Sequence, residues 1–329
     1  MLSAFSLVVA GLTLPAALTA LLLPVPILLT YAVVRVMRGV PVTMLGVTGE
    51  SAAASGSRPR YQLVAMPINH FGEKLRWTMD LLGAPYEEST VGGLISIFLR
   101  GRSVPWLVDR QSCSLLGNSD EALWYLSAVH VPSMSGDSLH GAERLLQRTR
   151  ETLTWEPRLN ALGHALQGWA YYYLLAPNTP RELSLRFWGA YEPNVPLTQR
   201  LLLRLGYPVL KVMMQRAFRL HDQAVYRART ELIDSLLNDA DAALTTHHGR
   251  SLTGDALSYV DITFCALLGP FLLETVLGQW ARGRFASFDP LRNHASIPAE
   301  LQDFERRLRA RPCGQFIEAT YRAWRNSAL

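Results

Sequence analysis

The first side chains with chemical reach stand at residues 69–73, Asn69-His70-Phe71-Gly72-Glu73, where a Pro-containing loop turns into a helical pattern. Such a junction aims backbone N–H groups and the positive end of a helix dipole at one spot, which suits an anion or a thiolate. Val104-Pro105 opens a later β-prone stretch, Val104-Pro-Trp-Leu-Val-Asp109, and Asn118-Ser119 precedes another helix, with Ser119 reading as its N-cap. Ser258 and Asp261 stand three apart before an apolar run. That spacing is a capping box, which satisfies two orphan N–H groups, so the pair reads as structural rather than catalytic. His247 and His248 with Asp255 lie in a Gly-containing loop without ligand spacing, and Cys113, Cys265 and Cys313 are widely separated with no Cys-x-x-Cys pair. No metal site is expected, and a reducing compartment fits best.

The elements that must position these groups follow from the pattern. Tyr61-Gln-Leu-Val-Ala65 is a short strand, residues 66–71 break it, and Leu75, Met79 and Leu82 share one face of a helix that Gly83 ends. Residues 85–89 are extended again. Strand, loop, helix and strand in this succession are how a thioredoxin-like domain begins, and Pro105 stands where that fold places a cis peptide. Residues 131–138 are a turn-rich linker. Helical periodicity then dominates: a stripe through Leu145, Leu153, Leu159, Leu162, Leu166 and Trp169 ends in Tyr171-Tyr172-Tyr173, and another long helix runs from Pro208 or Val209 to Leu244, with Val212, Leu232, Leu236 and Leu237 as core candidates. The expected fold is an α+β thioredoxin-like domain at 60–130 followed by an all-α helical bundle at 131–329.

The N-terminus is of another kind. Residues 1–34 hold no charged side chain, and Arg35 and Arg38 follow at once. As helix, at ~1.5 Å per residue, the stretch exceeds the ~30 Å of a bilayer core, so residues 1–38 read as a single-pass transmembrane anchor and 39–59 as a flexible linker. Pro15, Pro24 and Pro26 leave a hairpin open as the alternative. A signal peptide is the competing reading, opposed by the absence of Lys or Arg ahead of the apolar run and by that run's length. The two arginines place the remaining chain in the cytoplasm. The net charge of +5 comes without a dense basic run interleaved with aromatics, which argues against nucleic acid as a partner.

Taken in order, Glu73-Lys74-x-Arg76-Trp77, Val104-Pro105-x-Leu107, Asn118-Ser119 and Leu252-x-Gly254-Asp255-x-x-Ser258-x-x-Asp261-Ile262 resemble the motifs of the glutathione S-transferase superfamily over about residues 60–325. The resemblance implies glutathione as co-substrate, bound in a cleft between the two domains. It places Asn69 where the family puts the group that touches the glutathione sulfur, a Ser or Tyr hydroxyl in conjugating forms and a Cys in thiol-transfer forms. An Asn amide can donate to a thiolate but cannot be a nucleophile, so thiol-transferase chemistry through this position is excluded. His70 is the alternative partner for the sulfur, although a loop histidine in such a place is more often an exposed or packed side chain. Val104 and Pro105 would present backbone to the cysteinyl part, Asn118 and Ser119 the γ-glutamyl site, with the acid for the ligand's amine either missing or supplied by Asp120, and Arg102 a partner for a ligand carboxylate. Trp169 and Tyr172 would wall a small lipophilic second substrate, although aromatic clusters of this kind also form core, and His164 reads as structural. Two functions stay open, a membrane-anchored transferase or peroxidase acting on lipophilic electrophiles or peroxides, and a non-catalytic module of the same fold for protein interaction at a membrane. The family's habit of dimerising leaves a homodimer open.

Overall fold

In a computed structural model of the chain, the described residues are 58–93, 104–272 and 297–325, together with the backbone of 8–9 and 12–13. The last four form two short strands, β1 (Val8–Val9) and β2 (Leu12–Thr13), paired antiparallel. The rest of the expected anchor and linker lies outside the described residues. Among the described residues, no helix is long and apolar enough to cross a membrane.

A four-stranded sheet follows, of β3 (Tyr61–Ala65), β4 (Tyr86–Thr90), β5 (Trp106–Asp109) and β6 (Ser114–Leu116), in the order β4-β3-β5-β6. β3 and β4 are parallel, with Tyr61 opposite Tyr86, and need a crossover; α1 (His70–Leu81) supplies it. β5 runs antiparallel to β3, and β6 antiparallel to β5. Alternation along β3 splits its burial between two faces: Tyr61, Leu63 and Ala65 join the main core, whereas Val64 packs with Val104 and Trp106. This is the expected thioredoxin-like sheet, completed by α2 (Ser119–Val129).

The helical part contains α3 (Gly136–Leu145), α4 (Arg150–Leu174), α5 (Arg181–Phe187), α6 (Leu197–Ala217), α7 (Gln223–Thr246), α8 (Tyr259–Leu268), α9 (Ala299–Ala310) and α10 (Pro312–Trp324). Three expectations needed correction. The continuous helix from 208 or 209 to 244 is two helices, because Arg219 takes a left-handed φ of 48° and Asp222 then caps α7 by accepting from the amides of Ala224 and Val225. Val212 and Leu232, expected in the core, are exposed, while Leu236 and Leu237 are buried. The linker at 131–138 is largely structured, as a 3₁₀ turn (Val131–Ser133) leading to α3.

The core is continuous across the two parts, and α8 is its axis. Every residue of α8 is buried, and the helix packs on α1 and α4. A helix so enclosed must satisfy its first amides internally. Asp261, in the first turn, ties that start to the preceding loop as the hub of the expected capping box, accepting from the amide of the cap residue Ser258 (2.8 Å), the Ser258 hydroxyl (2.8 Å), the Ser251 hydroxyl (2.7 Å) and the Leu252 amide (2.7 Å). Burial raises the Asp261 carboxyl above its ordinary pKa, and these hydrogen bonds oppose it.

Candidate functional site

At the end of β3 the chain turns through Pro67 and enters α1 at Asn69, whose extended φ/ψ of −136° and 110° suits an N-cap. Its Oδ1 accepts from the Gly72 amide at 2.8 Å, and its carbonyl accepts from the Glu73 amide at 2.7 Å. A Cβ on Gly72 would lie 3.2 Å from the Ala65 Cβ and 3.3 Å from the Asn69 Cβ, so glycine lets this turn close tightly on the strand end. The cap covers the amide of the third helical residue. The amides of His70 and Phe71, like the first N–H groups of any helix, have no intrahelical acceptor. The Asn69 Nδ2 donates across to the Val104 carbonyl at 3.3 Å, and the Val104–Pro105 peptide is cis. Residues 35 apart in sequence thus meet where the expected ligand cradle was drawn.

His70 is turned away from the role of thiolate partner. Its ring packs on Phe71 at 4.4 Å, Phe71 packs on His164 of α4 at 5.4 Å, and its Nε2 is buried without a hydrogen-bond partner. Burial first, and then the neighbouring His164, push its pKa down to about 3, so the ring is neutral at pH 7 and offers a thiolate no positive charge. Gly163 makes the packing feasible, since a Cβ there would lie 2.6 Å from the Phe71 Cζ.

At the second helix start the cap is Asn118, not Ser119. Asn118 accepts from the Asp120 amide at 2.9 Å, and Ser119 is the first helical residue, with its side chain buried beneath that turn. Asp120, the acid expected for a ligand's amine, is already held by the buried Lys74 ammonium and by Asn160 at 2.8 Å. It ties α1, α2 and α4 together. Arg102 lies outside the described residues.

The aromatic wall is placed elsewhere than expected. Trp169 is buried against Phe304 at 4.8 Å and Tyr173 at 5.1 Å, inside the main core rather than lining a cleft. Tyr172 faces α7, stacking on Tyr226 at 4.4 Å and accepting from Gln223 at 3.1 Å. Tyr171 accepts from the Trp188 indole at 3.3 Å. The residues that do stand beside the α1 start are Phe71 and His164.

Sequence reasoning also missed what the Glu73-Lys74-x-Arg76-Trp77 run does. All four side chains are buried. Arg76 holds the Met66 carbonyl at 2.8 Å and Glu88 of β4 through paired bonds of 3.0 Å, bracing the loop that leads to Asn69. Arg325, just past α10, donates to Glu73 at 2.6 Å and Asp80 at 2.7 Å, while the Trp77 indole donates to the Trp324 carbonyl at 3.2 Å. The C-terminal helix is thereby locked to α1. Four polar or aromatic residues within five positions of an otherwise apolar-faced helix were a signal of buried pairing, but nothing local named Arg325.

No family model and no curated protein matches the sequence. Among solved structures the chain is similar to FzlA from C. crescentus, at 16% identity over 79% of this chain and 92% of that one, with a TM-score of 0.40. It is similar to a glutathione transferase homolog from Lodderomyces elongisporus solved with two GSH per subunit, at 14% identity over 79% and 98%, TM-score 0.41. A third is the beta-etherase LigF from Sphingobium sp. strain SYK-6, at 17% identity over 79% and 99%, TM-score 0.43. Likenesses of this size assign no residue of this chain a role.

Proposed function

We propose that the junction of β3 and α1 binds glutathione as its thiolate, and that the protein conjugates or reduces lipophilic electrophiles or peroxides with it. The observation that carries this reading is the 3.3 Å bond from Asn69 to the Val104 carbonyl beside a cis Pro105, which sets a helix N-terminus against a backbone edge able to read a peptide. A free thiol of pKa ~8.5 is only about 3% ionised at pH 7, so a site that lowers the pKa by ~2 units makes most of it nucleophilic. The amides of His70 and Phe71 and the helix dipole supply that stabilisation. The Asn69 amide has a second N–H to offer, since one faces Val104. With the Val104 carbonyl taken, the peptide would be read through the Val104 N–H, and its γ-glutamyl carboxylate at the start of α2 by the Ser119 backbone N–H. In conjugation the thiolate forms a sulfur–carbon bond to the electrophile and the leaving group departs with the bonding electron pair.

The uncharged residues 1–34 and the arginines after them support a membrane anchor with the folded part in the cytoplasm, close to where apolar substrates concentrate. A second reading, a non-catalytic module for protein interaction at a membrane, draws on the same Asn69: its oxygen and one amide hydrogen are already committed within the protein. Calorimetric titration of the full-length chain with glutathione, followed by a panel of electrophiles and peroxides, separates the two. Binding with turnover is expected; binding without turnover favours the module, and no binding ends the thiol reading.

A further inference from the structure

Helix α6 has an outward face that its surroundings do not explain. Its inward row, Leu203, Tyr207, Leu210 and Met214, follows the i, i+4, i+7, i+11 spacing and is buried. A helix placed this way normally turns charge toward water. Here Leu201, Leu202, Leu205, Val209, Val212 and Met213 stand outward, with Leu205 80% and Val209 64% exposed, and most of the large exposed apolar side chains among the described residues belong to this one helix. The charged residues of α6 are Arg200, Arg204, Lys211 and Arg216, with no Asp or Glu. At 100° per residue, Arg200, Arg204 and Lys211 fall along one edge between the inward row and the outward face, and Arg216 falls on the outward face itself in the last turn of the helix. Arg204 is fixed there by the Ala190 carbonyl at 2.8 Å and by the Tyr191 ring at 4.6 Å.

We propose that α6 lies in the interface of an anionic lipid bilayer, its outward apolar row among the upper acyl chains and its basic edge at the headgroup phosphates. An apolar face edged on one side by cations, on a helix without a single acid, is the pattern of an interfacial helix, for which apolar burial and attraction to anionic lipid act together. With four basic residues the helix does not qualify to span the membrane, so it lies along it. A second copy of the chain is a poor cover, because two such basic edges would meet with no acid on either helix to pair them. The Gln199 side chain accepts from the Gly92 amide at 2.8 Å, so docking α6 would also fix the sheet relative to the bilayer. The inference rests on neither the thiol site nor the apolar N-terminus.

Because residues 1–34 could hold the chain to vesicles by themselves, the test reads a local probe in the full-length protein. Cys113, the exposed cysteine, is replaced by serine, and an environment-sensitive fluorophore is attached through Leu205→Cys or, as control, through Glu143→Cys on α3. Vesicles of equal parts phosphatidylglycerol and phosphatidylcholine should blue-shift the Leu205 probe, and brominated acyl chains should quench most of its emission. The Glu143 probe should stay unchanged, and phosphatidylcholine alone should give a much weaker response at Leu205. Adding Leu201→Asp and Val209→Asp should abolish the response. A Leu205 probe that remains water-like on anionic vesicles overturns the proposal, as does an equal response without anionic lipid. A probe already shielded without vesicles, in a chain that runs as a dimer, would assign the face to a second copy instead.

Discussion

Two helix starts in this molecule use the same capping chemistry to opposite ends. At α8, Asp261 and Ser258 are buried, and four donors converge on one carboxylate. Nothing there is left over for a ligand, and the cap serves a helix enclosed by its neighbours. At α1, Asn69 is only half-buried, covers a single amide and sends its remaining polar group across to Val104. Closure is thus incomplete at the one start that faces the cis-Pro loop. A helix N-terminus becomes a site when its cap leaves amides over and a second chain segment stands opposite.

If that contrast is right, the two caps should respond differently to mutation. Asp261→Ala leaves four buried donors without their acceptor and should cost roughly 3 kcal/mol or more, read as a fall in Tm. Its effect on glutathione affinity should be small wherever the fold survives; unchanged melting with lost binding would invert the comparison.

His70 sharpens the α1 side. Its folded pKa of about 3 lies below the ordinary 6.5, so between these values the unfolded chain takes up a proton that the folded one refuses. The stability this supplies is complete above pH 6.5 and is lost as pH falls toward 3, with a slope of at most ~1.4 kcal/mol per pH unit. Chemical denaturation between pH 5 and 7 avoids most carboxylate titration, and His70→Phe should flatten the slope there. An equal slope in the variant would show that the ring is protonated in the folded state.

Asn69→Ala should destabilise by about 1 kcal/mol through the lost cap. Asn69→Ser, which keeps a cap oxygen, should recover most of it, and thermal melts would compare the two. On α6, Leu205→Asp should change stability by no more than ~0.5 kcal/mol, because the side chain meets solvent. A larger loss would mean that the outward row already packs within the chain.

The elements with local signals were legible in the sequence. β3, α1 and β4 follow from alternation, an apolar face and Gly83; the Ser258–Asp261 box follows from a spacing of three; Pro105 follows a β-branched residue at a strand start. The assignment of Ser119 as cap missed by one residue, since Asn118 and Ser119 are both good caps and only the turn geometry separates them. Pairings between distant segments were not legible: Glu73 and Arg325 are 252 residues apart, and nothing near either announces the other. Nor was the outward face of α6, because an apolar row reads as core whichever way it points. The same ambiguity placed Trp169 in a cleft wall when it packs on Phe304.

The central claim is that the start of α1 stabilises a glutathione thiolate, and its most direct test is the thiolate absorbance of the glutathione complex against pH. The wild-type complex should titrate ~2 units below free glutathione, given a free thiol pKa of ~8.5. Asn69→Ala should move the midpoint back toward that of the free thiol, and Asn69→Ser should hold it near the wild-type value or lower. A wild-type complex that titrates with free glutathione, or a chain that binds no glutathione, would contradict the account.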